Sequence, residues 1–130
     1  MTQETKTLKA EDLAQFYGSE NWYRHPLVSG VLYTDGAQYV AEQGGAYWFL
    51  DEIAFNQSVP WIKALDFQWW TLTVRPDRTG TVTCGNGNGK QVFKRELDYT
   101  DFPLDEIVLF CILDGTGKET VRVICLPSER

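Results

Sequence analysis

The sequence predicts an α+β fold, in which N-terminal helices pack on a C-terminal antiparallel β-meander of about five strands. Before Pro60, apolar residues recur at helical spacing between capping signals. After Pro60, apolar and polar residues alternate with period two, and glycine-rich or proline-containing turns separate the segments. No linker or internal repeat divides the 130 residues, so we expect residues 1–130 to form one domain, with residues 1–7 disordered.

The segment before Asp35 is predicted to hold one helix, one loop and one ambiguous element. Leu8–Tyr17 has apolar residues at helical spacing and acidic residues in its early turns, which predicts a short helix. Ser19–Pro26 has no such periodicity, and we expect an ordered loop anchored by Trp22 or Tyr23. Val28–Tyr33 is compatible with a short strand or a turn.

Two further helices are predicted before Pro60. Asp35 has the composition of an N-cap, and Gln38 stands at the capping-box position three residues later. The helix Gly36–Gln43 would then end at Gly44-Gly45, and a second helix would cover Ala46–Asn56. Pro60 should mark the end of the helical region.

The second helix should have two different faces. A stripe at i, i+3, i+4 and i+7 is expected to face the core and consists of Ala46, Phe49, Leu50 and Ile53. The remaining aromatic and acidic side chains form a candidate binding surface made of Trp48, Asp51, Glu52 and Phe55.

Five strands are predicted after Pro60, at Phe67–Arg75, Thr79–Cys84, Gln91–Leu97, Ile107–Ile112 and Thr120–Cys125. Hairpin turns are expected at Gly85–Gly89 and at Asp114–Gly117, and a turn or 3₁₀ element at Phe102–Leu104. Trp69 and Trp70 are adjacent, so one indole should face the helices and the other the opposite face of the sheet. An exposed indole there would be a candidate interface.

Charge and composition exclude several classes of partner. The formal net charge is -6, which disfavours direct binding of nucleic acid and of anionic membranes and permits a protein partner. No apolar run reaches transmembrane length, and the polar N-terminus does not resemble a signal peptide. Three cysteines without a C-x-x-C pair favour buried, reduced thiols and a cytoplasmic location.

No motif in the chain indicates a catalytic, cofactor or metal site. His25 is the single histidine, so no zinc-ligand set stands at ligand spacing, and we predict no metal, cofactor or catalytic residue. Asp51 and Glu52 point about 100° apart on a helix and make a poor acid–base pair by themselves. Glycine-rich Gly85–Lys90 has neither the spacing nor the helix of a phosphate loop.

An alternative hypothesis places a small-molecule or enzymatic site between the Ser19–Pro26 loop and helix 46–56. Its residues would be Asn21, Trp22, Arg24, His25, Asp51 and Glu52. That hypothesis requires His25 to come within hydrogen-bond reach of one of the two acids. Two other charged groups are expected to be solvated surface, namely the basic group Lys90, Lys94 and Arg95 and the acidic group Asp98, Asp101, Asp105 and Glu106.

Several segments resemble a family of small uncharacterised bacterial proteins that phages and plasmids also carry. They are the segments at residues 16–27 (FYGSENWYRHPL), 33–41 (YTDGAQYVA), 44–51 (GGAYWFLD), 102–105 (FPLD) and 126–129 (LPSE). The resemblance implies no activity, substrate or catalytic residue. Occurrence on mobile elements implies a role against a host or defence protein. We therefore expect a non-enzymatic, acidic protein-interaction module, with self-association through the sheet as a further possibility.

Overall fold

The computed structural model describes residues 8, 9, 13, 21–115 and 120–129, which form a sheet-rich α+β fold. Its strands are β1 Trp22–Arg24, β2 Val31–Thr34, β3 Phe67–Val74, β4 Gly80–Gly85, β5 Gln91–Leu97, β6 Glu106–Asp114 and β7 Val121–Cys125. Its helices are α1 Asp35–Gly44, α2 Tyr47–Phe55 and α3 Pro60–Lys63, with 3₁₀ turns at Asn56–Ser58 and Pro127–Glu129. The strands form one seven-stranded sheet in the order β1-β2-β7-β6-β3-β4-β5.

The predicted arrangement of N-terminal helices on a five-stranded antiparallel meander is wrong. The sheet is mixed, because β2 pairs in parallel with β7 while the other strand pairs are antiparallel. The helices lie in the middle of the chain, between β2 and β3. The predicted strands after Pro60 are present near their expected bounds, but β6 pairs with β3 rather than with β5.

Two strands at the start of the described chain account for much of this difference. The expected Ser19–Pro26 loop contains β1, which pairs with β2. A segment of three or four residues is too short to display a period-two pattern, so its pairing depends on a partner that is distant in sequence. The predicted helix at Leu8–Tyr17 and the turn at Asp114–Gly117 lie largely outside the described residues. Of that predicted helix, Leu8 is buried in the main core and Leu13 packs against it.

Helix α1 begins differently from the prediction. Thr34, not Asp35, is the N-cap, and its Oγ1 accepts a hydrogen bond from the Ala37 N–H. The expected capping box is replaced by Glu129, whose carboxylate accepts from the Gly36 N–H at 2.8 Å and from the Thr34 hydroxyl at 2.6 Å. A Cβ at Gly36 would lie 2.5 Å from Glu129 Oε1, so the close approach depends on glycine. The predicted stop at Gly44-Gly45 is confirmed, because Gly45 is the left-handed C-cap.

Pro60 starts a helix instead of ending the helical region. Proline is favoured at the first helical position, where its missing N–H is not needed, and α3 follows directly. Arg122 of β7 reaches the C-terminal end of α3 and donates to the carbonyls of Lys63 and Leu65, each at 2.6 Å. A guanidinium at this position satisfies backbone carbonyls that the helix leaves unpaired.

The main core lies between the helices and one face of the sheet. The predicted core stripe of α2 is confirmed, since all four of its side chains are buried there, and so are Trp70, Leu72, Val82 and Leu109 from the sheet. The core also contains two glutamine side chains from opposite layers, Gln57 from the 3₁₀ turn and Gln68 from β3.

Gln57 and Gln68 form a reciprocal pair of hydrogen bonds inside the core. Each Nε2 donates to the other residue's Oε1 at 2.8 Å. Gln68 Oε1 also accepts from Trp70 Nε1, while the remaining amide protons go to the carbonyls of Ile53 and Ile62. Within the described residues no buried side-chain nitrogen or oxygen atom is without a partner. The pair therefore connects the helical layer to the central part of the sheet without a buried unpaired group.

Replacing Gln68 by methionine should destabilise the protein by roughly 2–5 kcal/mol, because Gln57 and Trp70 would keep buried groups without partners. Urea denaturation of Gln68→Met and of the exposed Gln91→Met would measure this, and the Gln91 variant should change the free energy of unfolding by less than about 0.5 kcal/mol. The Gln57→Met, Gln68→Met double variant should lose less than the sum of the single losses. Additive losses would contradict the reciprocal pair.

Replacing Glu129 by alanine should lower the free energy of unfolding by roughly 1.5–3 kcal/mol, because the Thr34, Gly36 and Leu126 donors would lose their acceptor. Thermal or urea denaturation measures the loss. Glu106→Ala, at the exposed first residue of β6, is the matched control. Equal stabilities of the two variants would show that the Glu129 side-chain carboxylate does not stabilise α1.

Candidate functional site

The structure brings some of the predicted site residues together and separates others: Trp22, Arg24 and His25 line one cavity, whereas Asn21 and Glu52 have partners elsewhere. Trp22 and Arg24 point to one face of the sheet, because Tyr23 between them faces the helical side, where it stacks on Tyr33 with ring centroids 5.6 Å apart. Asn21 lies beside Asp35, with its N–H and side-chain amide 3.3 and 3.4 Å from Asp35 Oδ2. The hypothetical site between the loop and helix 46–56 therefore contains fewer of its proposed side chains than the sequence predicted.

His25 and Asp51 do meet, on the helical side. The buried His25 ring places Nε2 2.7 Å from Asp51 Oδ1, and Phe55 packs edge-on against the ring with centroids 5.8 Å apart. The other ring nitrogen, Nδ1, accepts from two backbone N–H groups, those of Leu27 and Val28, each at 3.1 Å. This hydrogen-bond network assigns the ring proton to Nε2, which donates it to the Asp51 carboxylate.

This arrangement favours a packing role for His25 over a role as general base. A general base needs a lone pair directed at the substrate proton. The Nδ1 lone pair of His25 is directed at the two backbone donors of the β1–β2 connection, and the Nε2 proton is directed at Asp51. His25 thus fastens the β1–β2 connection to α2.

The other members of the predicted α2 surface have separate partners. Glu52 pairs with Arg95 of β5 at 2.5 Å and lies near the Asn56 amide. Trp48 is half-buried and packs against the main core. Phe55 remains exposed. Within the described residues no group of three or more metal-ligating side chains could hold a metal ion.

Strand alternation defines a second surface, which we name the helix-free face because none of the described helices lies on it. Gln68, Trp70, Leu72 and Val74 of β3 point into the main core, so Phe67 and Trp69 point the other way. Paired residues on neighbouring strands point to the same face, so the strand registers show which side chains of the other strands share this face. The apolar side chains of the helix-free face include Trp22, Leu32, Phe67, Trp69, Phe110, Ile112, Val123 and Cys125.

An aromatic cluster occupies the middle of the helix-free face. Phe67 and Phe110 have ring centroids 4.7 Å apart, and Trp69 and Phe110 have centroids 5.1 Å apart. Phe110, Val123 and Cys125 are buried although they do not belong to the main core. Trp69 remains 39% exposed and Trp22 45% exposed. The two indoles therefore stand at the rim of a small apolar cluster on the side of the sheet opposite the main core.

The two adjacent tryptophans have the opposite orientations that the sequence predicted. Trp70 is fully buried and donates its indole N–H to Gln68, so it cannot serve as an interface residue. Trp69 is the exposed member.

A groove of about 250 Å³, which we name the Trp22 groove, lies on the same face as Trp69. It is lined by Trp22, Thr34, Ile112, Asp114, Val123, Cys125 and Glu129.

Sequence reasoning identified Trp69 and Trp22 but missed Phe67, Phe110, Ile112 and Val123 as one surface. The continuous apolar run at Ile107–Ile112 was a signal, because such a run predicts a strand with apolar side chains on both faces.

Gly85–Gly89 is the expected hairpin tip, with Gly87 and Gly89 at positive φ. The acidic group at Asp98, Asp101, Asp105 and Glu106 is exposed, as expected for a solvated surface.

The described residues define a class of protein: a sheet-rich α+β fold with helices on one face of the sheet and an apolar second face on which no described helix lies. The chain belongs to a family of unknown function, DUF6876, whose model matches residues 7–130. This match confirms the prediction that the chain belongs to an uncharacterised family. No curated protein and no solved structure matches the chain. Across the described residues, no helix has the length and apolarity needed to cross a membrane.

His25→Ala should lower the free energy of unfolding by roughly 2–4 kcal/mol, because the Leu27 and Val28 N–H groups and Asp51 would lose their partner. Asp51→Asn keeps an acceptor oxygen for Nε2–H and should cost only about 1 kcal/mol. Chemical denaturation gives both values. Nitrogen-15 NMR of the His25 ring should show the proton on Nε2, and a proton on Nδ1 would contradict the assigned role.

Proposed function

We propose that this chain is a non-enzymatic protein-interaction module that binds through the helix-free face. One observation supports this proposal above the others: Trp69 and Trp22 stand exposed at the edges of an apolar cluster that no described helix covers. Large apolar side chains that stay exposed beside an apolar cluster are typical of an interaction site. Tryptophan is enriched among the residues that contribute most to binding energy.

The distribution of charge supports the same proposal. Trp69, Phe110 and Cys125 lie side by side across three strands, and this row contains no charged side chain. Charged residues on the same face occur toward its edges, including Arg24 on β1 and Lys94 and Glu96 on β5. An apolar centre with a polar rim is the usual anatomy of a protein–protein interface. Direct binding of nucleic acid is disfavoured by the net charge of -6.

The alternative, a small-molecule or enzymatic site at the β1–β2 connection, receives less support. His25 and Asp51 are in contact, but both ring nitrogens of His25 already have hydrogen-bond partners within the fold. Trp22 and Arg24 lie on the other face of the sheet. The contact is thus explained by its role in fastening the connection to α2.

We place the protein in the cytoplasm as part of this proposal. Cys84, Cys111 and Cys125 are buried thiols that form no disulfide. Burial raises the pKa of the Cys84 and Cys111 thiols to about 12, which keeps them protonated and unreactive. A narrower form of the proposal, supported by the resemblance of the sequence to proteins of phages and plasmids, is an inhibitor of a host or defence protein.

A photo-crosslinking amino acid placed at position 69 tests the proposed face in cells. We expect p-benzoylphenylalanine at position 69 to form crosslinks to another polypeptide several-fold more efficiently than at position 61. Trp61 is the matched control, because it is an indole on the helical side and is 61% exposed, more than Trp69. Exposure alone would favour crosslinking at position 61.

Equal crosslinking at the two positions, or more crosslinking at position 61, would overturn the proposed face. Absence of any polypeptide crosslinked at position 69, with the variant shown to be folded by circular dichroism, would overturn the proposed function.

A further inference from the structure

We propose that the partner at the helix-free face is a second copy of this chain, with Trp69 of each copy inserted into the Trp22 groove of the other. This inference rests on the proposed function and specifies its partner. The exposed indole and the groove lie on the same face of one sheet, so a face-to-face pair of copies could fill both grooves at once. Such a reciprocal arrangement is what two-fold symmetry requires of a dimer interface.

The strand order supports a two-fold axis along β6. β6 is the middle strand, with β1, β2 and β7 on one side and β3, β4 and β5 on the other. Trp69 lies on β3, next to β6. The Trp22 groove lies on the other side, with walls from β1 to β6. A half-turn about an axis that runs parallel to β6, midway between the two facing sheets, therefore brings β3 of one copy over the groove side of its partner.

The strand register supports the same axis at the level of residues. Trp69 pairs with Phe110, and Phe110 pairs with Cys125, so the three side chains share one row across the sheet. Rotation about an axis parallel to the strands leaves the height along the strands unchanged. Trp69 of one copy would therefore meet the level of Cys125 in the other, and Cys125 lines the groove. Aligned face-to-face packing with sheets about 10 Å apart is a common arrangement of β-sheets.

Size and polarity of the groove suit an indole. The volume of about 250 Å³ has room for a single aromatic side chain rather than for a folded segment. Val123, Cys125 and Ile112 provide apolar walls, and the carboxylates of Asp114 and Glu129 provide acceptor oxygens. A buried indole N–H needs a hydrogen-bond acceptor, so an apolar groove with acidic residues in its lining matches tryptophan better than phenylalanine.

Electrostatics distinguish this partner from a basic protein. Two copies each carry a formal charge of -6 and repel one another, whereas the row at the centre of the proposed contact is uncharged. Added salt screens the repulsion between like charges. Self-association should therefore strengthen with salt, whereas binding to an oppositely charged partner should weaken.

Sedimentation and light scattering of the purified full chain test the inference. We expect a mass twice the 14.9 kDa of one chain at high protein concentration, with dissociation on dilution. Trp69→Glu should weaken association by at least roughly 30-fold. Trp61→Glu, on the helical side, should leave association unchanged. A monomer at every accessible concentration and salt concentration would overturn the inference.

A second measurement tests the inference even if the Trp69→Glu variant fails to fold. The purified chain carrying p-benzoylphenylalanine at position 69 should form a crosslinked dimer, with the link mapped by mass spectrometry to residues 121–125 or to Trp22 of the second copy. Links mapped elsewhere would overturn the proposed geometry. A monomeric chain that nevertheless crosslinks a different protein at position 69 in cells would refute the second copy and retain the proposed function.

Discussion

The hydrogen-bonded pair of Gln57 and Gln68 is the interaction on which the arrangement of the helical layer depends. Inside a low-dielectric core, an amide without a partner is costly, so the pair permits one relative position of the 3₁₀ turn and β3. Gln57 also binds the Ile53 carbonyl, which ties α2 to the same network. The position of α2 then determines where Asp51 stands, and Asp51 receives the Nε2 proton of His25. Through this chain of contacts, a core amide pair also determines the course of the β1–β2 connection.

The C-terminal segment meets the start of α1 in a second set of polar contacts. The parallel pairing of β2 with β7 brings the C-terminal segment next to the start of α1. There Glu129 accepts hydrogen bonds from Thr34, Gly36 and Leu126, and its negative charge lies at the positive end of the helix dipole. Arg122 of the same strand binds the carbonyl end of α3. Opposite charges on one C-terminal segment thus satisfy a helix N-terminus and a helix C-terminus, and they attach the helical layer to the sheet.

The two faces and the edges of the sheet have different physical properties. One face is covered by helices, and the other has an apolar cluster with exposed indoles at its rim. The edge strand β5 carries Lys94, Arg95 and Glu96, and the opposite edge strand β1 has only three residues. Short or charged edge strands oppose pairing of sheets edge to edge. The helix-free face is therefore better suited to association with another protein than the edges of the sheet are.

The sequence by itself determined the local elements: the helices α1 and α2, the five strands after Pro60, and the opposite orientations of Trp69 and Trp70. These follow from periodicities of a few residues and from caps such as Gly45, which need no distant partner. The sequence also identified His25, Asp51, Trp22 and Trp69 as residues to examine. Only the tertiary structure decided which of them meet. The parallel β2–β7 pair, the Glu129 contacts and the helix-free face join residues that are tens of positions apart, and no local pattern encodes such pairings because each depends on the register and the packing of the whole sheet.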